Sequence, residues 1–382
     1  MPAKIHHQTI TQQALCSSGI THADSLIEDY SSFPDYYHTR YQEVKPYLFI
    51  HDDLEFHYPP HTPVDEFYRY WNYTQETGTY MVSTAGNRNR SFSEAGFRFY
   101  LDNILYHLRK NQTDEAHKFL GCLLHYLQDS TFGIHALEGP DGTDIYTIDR
   151  MSGKDFAKYV CGIPLDESFS RITVTPEIFA AHPAEFPALL YRRYCDCTAV
   201  SRQALFDTAL DFIIGKSKNS VPDNQRKMFT SSLQLSADTI ATVYALANRT
   251  SPAVNERKLS EFAPWHYPIG GGGGFQLKRY SENLNTISFG INVEARLLYH
   301  LPADFYSKFS AEITGEDIAG ARLQIINDGS IAEEFELSGS PCLQITLPDP
   351  RNDFGFIIRT RKSSGKLTIS NGLFSKTAFL KA

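Results

Sequence analysis

The sequence predicts a multi-domain protein in which an all-α helical bundle is followed by an all-β sandwich. Up to about residue 250 the apolar residues recur at helical spacing, and beyond residue 285 they alternate in short segments. Five consecutive glycines at 270–274 separate the two patterns, and no regular element tolerates such a run. The predicted units are a helical domain at 1–265, a Gly-rich linker at 266–282 and a β-sandwich at 283–382.

Both patterns predict individual elements. Helical spacing of the apolar side chains predicts helices at 5–16, 64–84, 91–110, 114–133, 184–216 and 222–248. The alternating segments of the C-terminal part are typical of the strands of a sandwich. The turn formers Asn327-Asp328-Gly329 and Asn371-Gly372 separate some of these segments.

Composition narrows the classes of function. The net charge of −8 offers no basic excess to release counterions, so nucleic acid is the less favoured partner. No run of about 18 apolar residues is present, so no transmembrane helix is predicted. Residues 1–15 lack the pattern of a classical signal peptide, and we expect a cytoplasmic protein or one exported without that signal. Six cysteines are too few for a disulfide framework and are interpreted as reduced thiols.

The predicted helix at 114–133 carries the clearest candidate site. His125 and Asp129 lie four residues apart, which places both side chains on one helix face. His135 follows six residues after Asp129, just beyond the predicted helix end. Imidazoles and a carboxylate at this spacing are typical of part of a zinc site. Taken alone, the same spacing is more often that of an ordinary surface pair.

Further ligand types are grouped elsewhere in the helical domain. His6 lies in the first predicted helix, and Asp35 follows Pro34 in a segment rich in turn formers. His51 and His57 lie in a proline-rich stretch that cannot form a regular helix. Because these groups are distant in sequence, only a bundle with the ligands facing inward brings them together.

Several motifs resemble those of a known family. LGCLLHYLQDSTFGIH resembles the signature of the zinc-dependent phospholipase C and S1/P1 nuclease superfamily. HHQTITQQAL resembles the first-helix segment of that family, SSFPDYY its Tyr/Phe-Pro-Asp motif, and EFHYPPHT its aromatic-rich His segment. The motifs occur in the family's order over about residues 5–140. The resemblance implies an α-helical catalytic domain.

The resemblance also implies a set of metal ligands, and the sequence departs from the family's pattern at some of them. It implies two or three zinc ions held by His6, Asp35, His57, His125, Asp129 and His135, with Asp35 orienting or deprotonating the attacking water. The family's N-terminal Trp ligand and its downstream His-x-x-x-Glu have no counterpart in this sequence. One of three zinc sites is then missing or rebuilt, and the additional candidate ligands are His22, Asp24, His51 and Glu138.

The C-terminal part shows a weaker resemblance. INVEARLLYHL, FYSKFSAEITGED and the NDGS turn resemble a carbohydrate-binding module found on bacterial and eukaryotic hydrolases. The family's phospholipases carry a lipid- or calcium-binding sandwich at this position instead. Acidic loops suited to calcium are not obvious in the sequence, so glycan or protein contact is the preferred interpretation.

The resemblances imply a metal-dependent phosphoric diester hydrolase of phospholipase C type, acting on a phospholipid or membrane-surface substrate. One alternative keeps the same site and changes the substrate to single-stranded nucleic acid. Another is a glycan-binding protein whose helical domain has lost catalysis together with the His-x-x-x-Glu pair.

Overall fold

A computed structural model describes most of the chain. The described residues are 4–20, 25–47, 73–74, 79–80, 84–132, 143–161, 165, 168–215, 221–248, 256–262, 264, 280–283, 285–291, 294–302, 305–338, 342–360 and 365–376. The chain divides into two compact units, residues 1–72 with 88–251 and residues 73–87 with 252–382. Among the described residues, no helix combines the length and apolarity needed to cross a membrane.

The first unit is built from helices. They are α1 Lys4–Ser17, α2 Ser25–Tyr30, α3 Tyr41–Val44, α4 Thr84–Arg109, α5 Thr113–Thr131, α6 Thr143–Ser152, α7 Phe156–Cys161, α8 Phe186–Ile214 and α9 Val221–Ala247. Short 3-10 turns at Phe33–His38, Lys45–Tyr47 and Phe169–Arg171 connect some of them. The helices predicted at 5–16, 91–110, 114–133, 184–216 and 222–248 are therefore confirmed.

Helix α5 is the centre of this unit. It contacts α1, α2, α8 and α9, and its residues from Phe119 to Leu127 are buried on every side. The acidic residues Asp114 and Glu115 lie in its first turn, where they face the positive end of the helix dipole. A helix surrounded by four others can hold polar side chains away from water and close to its neighbours' polar groups.

Close approach between α2 and α5 depends on Gly121. A Cβ atom at this position would lie 2.6 Å from Cβ of Tyr30 and 2.7 Å from the carbonyl oxygen of Ile27. Both distances are shorter than side chains tolerate, so only glycine allows α2 to lie this near. The residues that follow α2 are thereby brought against the middle of α5.

In the second unit the described residues form the short pair β1 Tyr73–Thr74 and β2 Thr79–Tyr80 and, beyond residue 252, two larger antiparallel sheets. The strands of the larger sheets are β3 Glu256–Lys258, β4 Tyr280–Asn283, β5 Thr286–Ile291, β6 Glu294–Leu301, β7 Lys308–Glu316, β8 Ala321–Asn327, β9 Ser330–Leu337, β10 Cys342–Pro348, β11 Asn352–Arg359 and β12 Gly365–Ser375. One sheet has the order β10-β7-β12-β5-β4, with β3 also paired to β12, and the other has the order β6-β11-β8-β9.

Aromatic side chains join the two sheets face to face. The ring of Phe354 in β11 lies 4.7 Å from Phe309 in β7 and 5.3 Å from Phe374 in β12, measured between centroids. All three side chains are fully buried. A helical N-terminal part followed by an antiparallel β-sandwich is the predicted fold class, which is confirmed.

Some local predictions differ from the structure. Within the helix predicted at 64–84, residues 73–74 (β1) and 79–80 (β2) form a short antiparallel pair. The division near residue 252 precedes the predicted boundary at 265, because β3 already pairs with β12. Likewise β4 begins inside the predicted linker.

The two predicted turns have different outcomes. Asp328 and Gly329 have φ values of 54° and 72° and form the tight turn between β8 and β9, as predicted. Asn371, with φ of 54°, instead lies inside β12 at a break in its register with β7. An Asn-Gly pair supplies positive φ both to hairpin turns and to bulges, so the dipeptide alone does not distinguish them.

Candidate metal centre

Three fully buried side chains meet between α1 and α5. His7 of α1 and His125 and Asp129 of α5 each offer a ligand atom, and these atoms lie within 4.8 Å of one another. Nε2 of His7 lies 3.3 Å from Oδ1 of Asp129, and Nε2 of His125 lies 3.4 Å from Oδ2. The two imidazole rings stack with centroids 4.6 Å apart. We call these three residues the His7 cluster.

Asp35 lies at the edge of this cluster. Its Oδ1 atom is 3.9 Å from Nε2 of His125, and its side chain is 21% exposed, whereas those of the cluster are at most 1% exposed. Asp35 lies in the 3-10 turn Phe33–His38, which follows α2 and has Pro34 near its start. The packing of α2 on Gly121 therefore also places Asp35. Among these four residues, Asp35 provides the contact with solvent.

Hydrogen bonds on the far side of each ring indicate its tautomer. Nδ1 of His125 lies 3.0 Å from the carbonyl oxygen of Ser31, which can only accept, so Nδ1 carries the proton and donates it. Nδ1 of His7 lies 2.9 Å from Oε1 of Gln128 and donates in the same way. Each Nε2 atom then presents a lone pair towards Asp129, which is the arrangement found in histidines that bind metals.

A positive charge would stabilise this arrangement. Two lone pairs that face a fully buried carboxylate are repelled by it, and the low dielectric of the interior strengthens that repulsion. Within the described residues Nε2 of His7 makes no hydrogen bond despite its position 3.3 Å from the carboxylate. A metal ion or a second proton on an imidazole would supply the charge.

The donor atoms suit zinc in kind and in spacing. Zinc prefers imidazole nitrogen and carboxylate oxygen at bond lengths of about 2.0–2.2 Å. In a tetrahedral site such bonds place neighbouring ligand atoms about 3.3–3.6 Å apart. The observed nitrogen-to-oxygen distances of 3.3 and 3.4 Å match that spacing. Because each imidazole faces a different oxygen of Asp129, this carboxylate can also bridge two ions.

The predicted site residues have different outcomes. Asp35, His125 and Asp129 are brought together, as the proposed ligand set requires. His6 is buried with its ring against Phe132, and among the described residues the α1 member of the cluster is His7, so the predicted role of His6 stays a prediction. His22, Asp24, His51, His57, His135 and Glu138 lie outside the described residues, so their roles stay predictions.

His7 was missed although the sequence contains a signal for it. His7, Ile10 and Ala14 follow the spacing of one helix face, and all three are buried. A histidine in line with the apolar face of α1 points into the bundle, towards α5. The neighbouring His6 is rotated about 100° around the helix, since 3.6 residues complete one turn.

Comparisons with known proteins found solved structures of low sequence identity. No protein-family model matches the sequence, and no curated protein matches it at a significant level. The alpha-toxin of Clostridium perfringens from avian strain SWCP is 13% identical with a TM-score of 0.32, over 94% of this chain and 82% of the toxin. The alpha toxin of Clostridium absonum is 13% identical with a TM-score of 0.31, over 98% and 87%.

Proposed function

We propose that this protein is a metal-dependent phosphodiesterase of phospholipase C type that hydrolyses phospholipids. The observation that carries the proposal is the His7 cluster with Asp35 at its edge, which is the set of nitrogen and oxygen donors that zinc requires. The motif resemblance of residues 5–140 supports phosphodiester chemistry. The net charge of −8 favours a lipid over a polyanionic nucleic-acid substrate.

Each residue has a role that follows from its position. His7, His125 and Asp129 would hold one or two zinc ions, and the deep burial of their side chains keeps water from competing for the donors. When bound, zinc supplies Lewis acidity to a phosphoryl oxygen and to the attacking water. Asp35 is close to the cluster yet reaches solvent, so it would orient the attacking water and accept its proton.

Metal content and activity together test the proposal. The purified chain is dialysed against excess zinc and then metal-free buffer, and its zinc is measured per chain. We expect at least one zinc ion per chain, release of phosphocholine from phosphatidylcholine vesicles, loss of that release on chelation and its return on adding zinc. A chain that holds no zinc and gains no activity from it would contradict the proposal.

The same preparation separates the remaining functions. Cleavage of single-stranded DNA without hydrolysis of phosphatidylcholine would assign the site to a nuclease. Retained zinc without either activity, together with binding to a glycan array, would indicate a glycan-binding protein that has lost catalysis. Asp35→Asn separates zinc binding from catalysis within the chain. It removes the proton acceptor at the edge and leaves all three members of the His7 cluster, so we expect bound zinc without hydrolysis.

A further inference from the structure

We propose that Gln128 is a positioning residue that selects the metal-binding tautomer of His7. The inference rests on the metal centre proposed above and deepens it. Gln128 and Asp129 are consecutive in α5, and they contact opposite nitrogens of the same imidazole. Oε1 of Gln128 lies 2.9 Å from Nδ1 of His7, while Oδ1 of Asp129 lies 3.3 Å from Nε2. The two side chains together fix the plane and the direction of the ring.

The Gln128 amide also makes hydrogen bonds at its other end. Its Nε2 atom donates to Oγ1 of Thr11 at 2.9 Å and lies 3.4 Å from Oγ of Ser236. Thr11 belongs to α1, one turn after His7, and Ser236 belongs to α9. With the amide nitrogen occupied by these hydroxyls, the carbonyl oxygen faces His7 and accepts its Nδ1 proton. All four residues are fully buried, so water does not compete for these bonds.

The tautomer decides whether His7 can bind a metal. A proton on Nδ1 leaves the Nε2 lone pair towards Asp129, whereas a reversed amide would donate to Nδ1 and move the proton to Nε2. In the reversed case Nε2 would hydrogen-bond to Asp129 and could not act as a ligand. His125 differs, because a backbone carbonyl fixes its tautomer and no side-chain substitution removes that acceptor. The tautomer of His7 therefore depends on the side chain of Gln128.

Substitutions at Gln128 test this role directly. Gln128→Met keeps the length of the side chain and removes the acceptor, and Gln128→Glu keeps an acceptor for the Nδ1 proton. Thr131→Val is the matched control, since Thr131 is buried on the same helix and hydrogen-bonds to Leu127 and Ser232 rather than to His7. We expect Gln128→Met to weaken zinc binding about 10- to 100-fold. Gln128→Glu and Thr131→Val should bind zinc as the wild type does.

Nitrogen NMR gives a readout that does not need metal. In zinc-free wild-type protein labelled at histidine, at a pH at which the His7 ring is neutral and with His7 assigned by comparison with His7→Gln, we expect its single proton on Nδ1. In Gln128→Met we expect a mixture of tautomers. A neutral wild-type ring whose single proton lies on Nε2 would overturn the inference even if Gln128→Met fails to fold.

The outcomes also separate this inference from the proposed function. Wild-type protein that binds no zinc contradicts the metal centre itself. If wild type and Gln128→Met bind zinc equally and share one tautomer, the metal centre stands and the role of Gln128 is overturned. If Gln128→Met, Gln128→Glu and Thr131→Val all lose zinc and melt at lower temperature, Gln128 acts only through packing, which also overturns it.

Discussion

The imidazole rings of His7 and His125 stack with centroids 4.6 Å apart and an angle of 29° between their planes. His7 belongs to α1 and His125 to α5, so the two rings come from helices that are far apart in the sequence. Each ring donates its Nδ1 proton away from the other, to Gln128 and to Ser31. Both Nε2 atoms are therefore turned towards Asp129. This relationship makes the two rings parts of one site.

Removing a member of the site should abolish hydrolysis without unfolding the protein. We expect His125→Ala and Asp129→Ala to reduce phospholipid hydrolysis to background and to lose zinc, while circular dichroism retains the helical signal. The reason is that each side chain is a proposed ligand at the centre of α5. His117→Ala is the control, because His117 is a buried histidine of the same helix that contacts Tyr244 instead. Wild-type activity in either test variant would contradict the placement of the site.

A pair of variants distinguishes the two adjacent histidines of α1. His7→Ala should lower the zinc content, whereas His6→Ala should keep it, because the ring of His6 packs against Phe132 and that of His7 faces Asp129. The measurement is zinc per chain after dialysis, with thermal unfolding of both variants to correct for lost packing. The reverse order of zinc loss would restore His6 as the ligand.

Gly121→Ala should destabilise the helical unit and weaken zinc binding. The new methyl group would gain about 0.5–1 kcal/mol in helix propensity. It would also meet the backbone of α2 at 2.7 Å, and such overpacking costs about 1–3 kcal/mol. The steric cost exceeds the gain because backbone cannot move aside as a flexible side chain can. Thermal unfolding and zinc titration measure both effects, and an unchanged variant would show that α2 does not hold Ser31 and Asp35 in place.

The thiols should differ in reactivity with iodoacetamide at mildly alkaline pH. Burial raises the pKa of the Cys122 thiol well above its usual range, and the thiolate is the reactive form. Cys122 should therefore stay unlabelled until the protein is denatured. Cys16 and Cys342 are exposed and should react in the native protein. A hydrogen bond to Glu312 raises the pKa of Cys342, so we expect its labelling to be slower than that of Cys16. Mass spectrometry of digested peptides gives the order, and early labelling of Cys122 would contradict its burial.

The amino-acid sequence by itself determined the succession of helices and strands outside residues 64–84, because apolar periodicity indicates which face of each element is buried. It also determined that His125 and Asp129 share one side of α5, since helix geometry fixes the relation of residues four apart. The turn at Asp328-Gly329 followed from the same kind of local rule.

Only the tertiary structure decided which residues meet. His6 and His7 are neighbours in one helix, and the choice between them depends on how α1 is rotated against α5, which is set by packing of the whole helix. The role of Gln128 depends on Thr11 and Ser236 from two other helices, so no local pattern contains it. Asn371-Gly372 became a bulge because β12 continues its pairing with β7 beyond it. Contacts between distant segments selected among conformations that the local sequence allows equally.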